Sequence, residues 1–110
     1  MLSKKYRIPK TEIPNIIKRG KRISSEFFDL KIWHDDAIKN HRFSIVISKK
    51  VSKKAVTRNK IRRKFRAAIY SLLKNNTFKK DNYIFIIKSV DLSEKKSGEI
   101  EELIEEIIIK

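Results

Sequence analysis

Five side chains between positions 58 and 66 have the types and the spacing to bind a polyanion. On a helix, Arg58, Arg62 and Arg66 recur every four residues and drift by only about 80° around the axis, and Asn59 and Arg63 widen the same face. A planar guanidinium group matches phosphate oxygens with two hydrogen bonds and stacks on bases. An asparagine offers a donor and an acceptor, either to a base edge or to a neighbouring arginine. The predicted chemistry is therefore the binding of a nucleic acid.

The charge of the chain is concentrated around this segment. Lys and Arg total 28 against 13 Asp and Glu, a net charge of +15, whereas a small domain needs only about 2–8 charges for solubility. Residues 37–80 carry fifteen basic and no acidic side chains, while residues 81–110 carry four basic and eight acidic ones. A solvated helix face usually interleaves glutamates for ion pairs one turn apart. Among a nucleic acid, an anionic membrane and mere solubility, the pattern favours a nucleic acid, with the acidic tail on the opposite side.

The rest of the composition limits where the chain acts. Its 110 residues suffice for one domain, 1–110, with a thin core. The absence of cysteine excludes disulfides and thiolate zinc sites and is compatible with a reducing compartment. The basic residues 1–7 lead into no long apolar stretch, so we expect no signal peptide, no membrane span and a cytoplasmic location.

Two histidines beside a pair of aspartates are the other candidates for chemistry. His34, Asp35, Asp36 and His41 suggest a metal site or an acid–base pair, but no cysteine or second carboxylate cluster completes a ligand set. We therefore expect exposed bystander histidines, no catalytic residue and no metal held by the protein. Trp33 could stack on a base, although packing in the core or in a turn is the favoured interpretation.

The elements that position the arginines follow from the spacing of apolar residues. Ala55–Lys74 is predicted to be the longest helix because apolar residues recur on one side of it; they are Ile61, Phe65, Ala68, Ile69 and Leu72. A second amphipathic helix is predicted at Ser97–Ile109, with glutamates opposite its isoleucines. That acidic face argues against docking on an anionic membrane.

Alternation predicts strands at residues 26–33 and 42–48, and an apolar run predicts a central strand at residues 83–87. A further short strand around residues 23–25 would make three strands, rather than two, before the long helix. Thr11 is predicted to cap a first helix that ends at Gly20. The order α, two or three β, α, β, α indicates an α+β sandwich with helices packed on a sheet.

The basic segment and its flanks resemble the signature of the bacterial ribonuclease P protein subunit. The hallmark of that family is an Arg-Asn-Arg core in a longer basic helix, which corresponds here to Arg58, Asn59 and Lys60. The matching positions also include Ile61, Arg62, Arg63, Arg66, residues 48–51 and Ala55, with Gly20, Lys21, Arg22, Phe28 and Leu30 upstream. The resemblance covers nearly the whole chain.

This resemblance implies a fold and a function. The family's fold is a compact, ribosomal-protein-S5-domain-2-like α-β-β-β-α-β-α sandwich on a four-stranded sheet. Its parallel strands are joined by a left-handed crossover, against the usual right-handed rule. A large RNA subunit with bound Mg²⁺ hydrolyses a phosphodiester of precursor tRNA to leave the mature 5′ end. The implied partners are ribonuclease P RNA and precursor tRNA, with one protein per RNA, and the protein assists by binding both.

Carried over position by position, the resemblance assigns two binding sets. The RNA-binding set comprises Lys49, Lys50, Lys54, Arg58, Asn59, Lys60, Arg62, Arg63 and Arg66. The cleft for the single-stranded 5′ leader, between the first helix and the sheet, comprises Ile13, Ile17, Phe28 and Lys31. Two isoleucines stand where the family typically has phenylalanines, and Lys60 replaces the second arginine of the motif. Since aromatic stacking contributes about 1–3 kcal/mol per base, leader affinity is expected to depend more on charge.

Two other classes of protein share the phosphate-binding chemistry. A structural RNA-binding protein of ribosomal type would need no second site at residues 13–31, and that region separates the two hypotheses. A duplex-DNA reader with residues 58–66 in a major groove would favour a helix-turn-helix or a dimer. The sequence shows neither a compact helix pair nor a dimer seam.

Overall fold

The computed structural model describes residues 4–109, which form three helices and one four-stranded sheet. The helices are α1 (Ile13–Arg19), α2 (Ala55–Lys74) and α3 (Ser97–Ile109), and the strands are β1 (Lys21–Ser24), β2 (Phe28–Trp33), β3 (Arg42–Val46) and β4 (Asn82–Ile87). Short 3-10 turns lie at Lys4–Tyr6, Lys10–Glu12 and Val90–Glu94. The predicted α+β class and the order α-β-β-β-α-β-α are confirmed.

The sheet has the strand order β1-β2-β4-β3. Strand β2 is antiparallel to β1 and to β4, whereas β3 runs parallel to β4, with Phe43 opposite Tyr83. Two adjacent parallel strands need a crossover connection, and α2 with its flanking loops supplies it. The left-handed sense of this crossover stays a prediction from the family resemblance. Strand β1 begins two residues earlier than predicted, and β2 begins two residues later.

One face of the sheet carries the main core. Because side chains alternate along a strand, Phe28 of β2 and Phe85 of β4 point to the side on which α2 and α3 pack. The ring of Phe65 on α2 meets the ring of Phe28 edge-on, with 5.4 Å between their centroids. The predicted helical stripes are buried here, namely Ile61, Phe65, Ala68, Ile69, Leu72, Ile100 and Ile104. The arginine side of α2 is consequently turned away from the core.

Helix α1 covers part of the opposite face of the sheet. Ile16 of α1, Ile8 before it and Ile84 of β4 form a second buried cluster. Gly20 follows α1 with extended backbone, and a Cβ at this position would lie 2.7 Å from the carbonyl oxygen of Ile16 and 3.2 Å from that of Ile32. Gly20 ends the helix as predicted, but the close approach of carbonyl oxygens from both α1 and β2, rather than a left-handed cap, requires the glycine.

The start of α1 differs from the prediction. Thr11 lies inside the 3-10 turn Lys10–Glu12, which the amide of Glu12 closes by donating to the carbonyl oxygen of Pro9. The helix begins after Glu12, with Pro14 in its first turn and no side chain capping it. The predicted Thr11 cap is therefore wrong, because the tighter turn already occupies that position.

None of the helices within residues 4–109 combines the length and the apolar character needed to cross a membrane.

Candidate nucleic-acid interface

The outward side of α2 is a cationic surface, here called the arginine face, made of Arg58, Asn59, Arg62, Arg63 and Arg66. Asn59 and Arg63 are exposed, and the other three residues are half-buried. Within residues 4–109, carboxylates form ion pairs with Arg22, His34, Arg42 and Lys88, and with none of the four arginines of this face. Four guanidinium charges are therefore presented together without a carboxylate to neutralise them.

A groove of about 720 Å³ runs beside the arginine face. Asn59, Arg62, Arg63 and Arg66 form one wall, and residues 43–47 along edge strand β3 form the floor. The other wall consists of Arg7, Ile8, Lys10 and Ile13. Cations on both walls above a largely apolar floor suit a nucleic-acid strand, because the walls offer charged donors to phosphates.

Two members of the motif support their neighbours. Asn59 accepts a hydrogen bond at Oδ1 from Nη1 of Arg62, over 3.3 Å, so it holds an adjacent arginine, which is one of its two predicted roles. Arg58 donates from Nη1 to the carbonyl oxygen of Ser52 at 2.8 Å. Arg58 thereby fixes the loop that leads into α2, and it does not line the groove.

The predicted lysines lie around the groove rather than in it. Lys49, Lys50 and Lys54 are exposed in the loop between β3 and α2. Lys60 is also exposed, but it lies about 100° beyond Asn59 around the helix and outside the groove. Lys64 donates to the carbonyl oxygens of Ser93 and Lys95, so it fastens α2 to the segment that leads into α3.

The residues assigned to the leader cleft do not all line one cleft in the structure. Ile13 lines the groove that the arginine face borders. Ile17 is half-buried against the cluster beneath α1. Lys31 is half-buried, and its partner in the sheet register is Ile84, which belongs to that same cluster. Trp33 also packs there, in agreement with its favoured interpretation.

Phe28 is a correction to the predicted cleft. Its side chain is completely buried in the main core, between the rings of Phe65 and Phe85. Phe28 and Lys31 are three residues apart on one strand, so they point to opposite faces and cannot line the same cleft. The strand residues on the α1 side are Asp29, Lys31 and Trp33.

A network centred on Arg42 anchors the wall opposite the arginine face. Its Nε donates to Oδ1 of Asn82 at 2.7 Å, and its two terminal nitrogens donate to the two carboxylate oxygens of Glu12 at 2.8 and 3.2 Å. Asn82 in turn donates to the carbonyl oxygen of Trp33. Arg42 thus ties the turn before α1 to the sheet. The partners are 30 and 40 residues away along the chain, so no local spacing reveals them.

Asp29 has a structural role that no local sequence pattern reveals. Its carboxylate is 1% exposed and forms ion pairs with Arg22 on β1 and, at 3.0 Å, with Lys88 after β4. Burial raises the pKa of Asp29, but hydrogen bonds from Lys88, Arg22 and Ser24 outweigh it, and the pKa lies below its ordinary value. Asp29 therefore joins three strands and takes no part in the groove.

Both histidines have hydrogen-bond partners, and His34 is exposed as predicted, whereas His41 is half-buried. His34 lies 2.5 Å from Asp81 through Nδ1 and 2.7 Å from Asp36 through Nε2, and these two hydrogen bonds raise the pKa of His34. His41 bonds through Nε2 to the carbonyl oxygen of Phe78 at 2.8 Å. In the described part of the chain, no three His, Cys, Asp or Glu side chains are grouped to hold a metal ion.

Comparison with protein families matches residues 2–110 to the family model described as Ribonuclease P. Among curated relatives, the ribonuclease P protein component of Pseudanabaena sp. (strain PCC 6903) is 39% identical over 74 residues, which are 66% of this chain and 64% of that protein. The aligned part thus spans somewhat less than two thirds of the relative's own length.

Solved structures with the same fold include two bacterial proteins. The RNase P protein of Staphylococcus aureus superposes with a TM-score of 0.79 at 24% identity, over 94% of this chain and 93% of that one. The RNase P protein of Thermotoga maritima gives a TM-score of 0.77 at 21% identity, over 94% and 96%. At these identities the likeness concerns the fold.

Proposed function

Because this chain belongs to the Ribonuclease P protein family, we propose that it is the protein component of a ribonuclease P and docks on its RNA through the arginine face. The observation that supports this most is the clustering on one side of α2 of Arg58, Arg62, Arg63 and Arg66, which have no carboxylate partner among residues 4–109. A protein with no polyanionic partner gains nothing from keeping these charges together and unpaired.

The mechanism of docking is phosphate neutralisation by preplaced arginines. Each arginine that contacts a phosphate releases condensed counterions. Each such contact therefore steepens the fall of log affinity with log salt concentration by about 0.7–0.9. Asn59 holds Arg62 on the groove side, which lowers the entropy lost when that side chain binds. Lys49, Lys50 and Lys54 would add contacts along the approach to α2, and Lys60 would add one at the side of the helix.

We further propose that the groove receives the single-stranded 5′ leader of precursor tRNA. It extends from Arg62, Arg63 and Arg66 to Lys10 and Ile13, so a strand lying in it would touch both α2 and the start of α1. The aromatic ring that borders it, Phe43, is 2% exposed. Leader binding would therefore depend on charge and on aliphatic contacts with Ile13 rather than on stacking.

In this proposal the RNA subunit, with bound Mg²⁺, hydrolyses the phosphodiester, and the protein positions the substrate. The polar side chains of the groove walls are arginine, lysine and asparagine. Charged arginine and lysine donate hydrogen bonds but have no acceptor for a proton. The groove can thus bind and orient a phosphate, whereas its described lining, with the neutral hydroxyl of Ser44 included, has no group suited to deprotonating an attacking water.

Reconstitution tests this proposal. The purified protein is added to a bacterial ribonuclease P RNA at a low Mg²⁺ concentration at which that RNA alone is slow, and cleavage of a precursor tRNA is followed. We expect faster cleavage at the mature 5′ end with the wild-type protein. A Lys21→Ala/Lys96→Ala variant, which loses two exposed charges away from the groove, should retain this effect. No acceleration by folded wild-type protein would contradict the proposal.

A further inference from the structure

One aromatic side chain on α2 is exposed without a structural reason. Tyr70 is 53% exposed, and the large apolar residues that share this property in the described part of the chain are Val56 and Val90. Its hydroxyl has no hydrogen-bond partner within residues 4–109. The buried Tyr83 differs in both respects, because it is 3% exposed and donates from its hydroxyl to the carbonyl oxygen of Lys79 at 2.8 Å. Tyr70 therefore neither fills the core nor ties two segments together.

Tyr70 continues the row of arginines on α2. It follows Arg62 and Arg66 at the same four-residue interval, and Lys74 occupies the next position. Four residues advance a helix by about 6 Å and turn it by about 40°, so the ring lies one turn beyond Arg66 on the same side of the helix. The Nζ of Lys74 lies 4.5 Å from the centre of the ring. The arginine row thus ends in an exposed ring with an ammonium group beside it.

The charges around the ring of Tyr70 indicate which class of ligand it could bind. Residues 37–80, which include all of α2, contain no acidic side chain. A basic protein surface would be repelled here and a neutral one would leave the cations unpaired, and lysine is depleted in the centres of protein interfaces. A nucleic acid satisfies both features, because a base stacks on an aromatic face while its phosphate pairs with a nearby cation.

Resting on the proposed docking of α2 on RNA, we propose that Tyr70 is a stacking site for an unpaired base of that RNA. The ring takes the face of the base, and Lys74 takes an adjacent phosphate. This site would lie one turn beyond the phosphate-binding arginines and would add an uncharged contribution to affinity. It would also favour an RNA that presents an unstacked nucleotide at this point, since a duplex keeps its base faces covered.

The test compares Tyr70→Phe and Tyr70→Leu in binding to a bacterial ribonuclease P RNA at several salt concentrations. Loss of one base–aromatic stack reduces affinity by about 5- to 150-fold, and the half-exposed ring places the expected loss for Tyr70→Leu near the lower end. Tyr70→Phe should bind like the wild type, because the ring is retained. The slope of affinity against salt should be the same for all three proteins, whereas Lys74→Ala should lower it by about 0.7–0.9.

Val56→Ala is the matched control, since Val56 is 80% exposed on the same helix and cannot stack. Unchanged affinity for Tyr70→Leu would overturn the inference, and so would an equal loss for Tyr70→Phe, which would assign the effect to the hydroxyl. A change in oligomeric state with unchanged RNA binding would assign the ring to a protein contact instead. Arg62→Ala/Arg63→Ala in the same assay separates the two proposals. If this double variant also binds RNA normally, the proposed docking through α2 is wrong. If it binds weakly while Tyr70→Leu binds normally, only the proposed stacking site is wrong.

Discussion

At the scale of single residues, the arginine face combines strong charge with restrained side chains. Arg62 is held by Asn59, and Arg58 is held by the carbonyl oxygen of Ser52. Arg63 and Arg66 border the groove without a carboxylate partner in the described chain. Because backbone and neighbours already place these groups on one side, binding a phosphate orders fewer side-chain rotations than binding by a free loop would.

Asn59→Asp tests whether the charge of this face must stay unneutralised. The substitution keeps the size of the side chain but places a carboxylate 3.3 Å from the guanidinium of Arg62. The new ion pair competes with phosphate and repels it, so we expect RNA affinity to fall by about tenfold or more. Equilibrium binding to ribonuclease P RNA measures this. Asn59→Ala removes the support without adding charge and should lose less; equal affinity of the aspartate variant and the wild type would argue against the arginine face.

Ile13→Phe tests the use of the groove by the leader. Ile13 borders the groove and is half-buried, so a phenyl ring there would meet a passing base and add up to about 1–3 kcal/mol of stacking. We expect tighter binding of precursor tRNA by the reconstituted enzyme, with unchanged binding of mature tRNA as the internal control. Equal affinity of the folded variant and the wild type for precursor tRNA would place the leader elsewhere.

Asp29→Asn tests the ion pairs that join three strands. The pKa of Asp29 is lowered in the folded protein, so its contribution to stability is present above its unfolded pKa of about 3.9 and is lost as pH falls through the lower folded value. We expect the variant to lose about 1–3 kcal/mol at neutral pH, and the gap from the wild type to narrow below about pH 3.9. Denaturant unfolding across pH measures both, and a gap that stays constant down to pH 2 would contradict this assignment.

At the scale of elements, the placement of α1 decides the shape of the groove. At its C-terminal end, Gly20 lies close to the carbonyl oxygens of Ile16 in α1 and Ile32 in β2. Its N-terminal turn is held by the hydrogen bonds of Arg42 to Glu12. Between these two points, Ile16 packs on the sheet. Arg7 and Ile8 of the opposite wall are joined to Phe43 of β3, and Ile13 belongs to α1. That wall is thus fixed by the segment before α1 and by α1 itself, and not by α2.

Gly20→Ala should disturb that wall without touching the arginine face. A Cβ would lie 2.7 Å from one backbone oxygen and 3.2 Å from another, and neither oxygen can move without moving α1 or β2. We expect a loss of about 1–3 kcal/mol in the free energy of unfolding. We also expect the substitution to weaken binding of precursor tRNA more than it weakens binding of the RNA subunit. Gly98→Ala is the control, because a Cβ there has nothing within 4 Å. Equal stability of the two variants would contradict the proposed role of Gly20.

The sequence predicts these elements unequally well, for physical reasons. Helices α2 and α3 have the predicted bounds because a long apolar stripe defines them. Strand β1 is short and mostly exposed, so it has little alternation to detect. The family resemblance assigns Phe28 to the cleft. The strand pattern argues against this, because Phe28 and Lys31 are three residues apart and point to opposite faces of the sheet. The contacts of Arg42 and the groove beside β3 depend on segments that are distant in sequence, and no local pattern contains them.

At the scale of the whole molecule, the basic and acidic parts lie on different sides of α2. The groove adjoins Asn59, Arg62, Arg63 and Arg66. On the other flank of the helix, Lys64 binds the segment that leads into the glutamate-rich α3. A net charge of +15 attracts RNA from any direction, so we expect this separation, rather than the total charge, to give the protein one preferred docking side.

The salt dependence of binding to ribonuclease P RNA tests this most directly. Arg62→Ala/Arg63→Ala removes two groove charges, and Lys21→Ala/Lys96→Ala removes two exposed charges away from the groove. We predict that the arginine variant loses about 1.4–1.8 from the slope of log affinity against log salt, together with much of its affinity. The lysine variant should keep a slope near that of the wild type. Equal slopes for the two variants would show that RNA responds to net charge alone and would contradict docking through the arginine face.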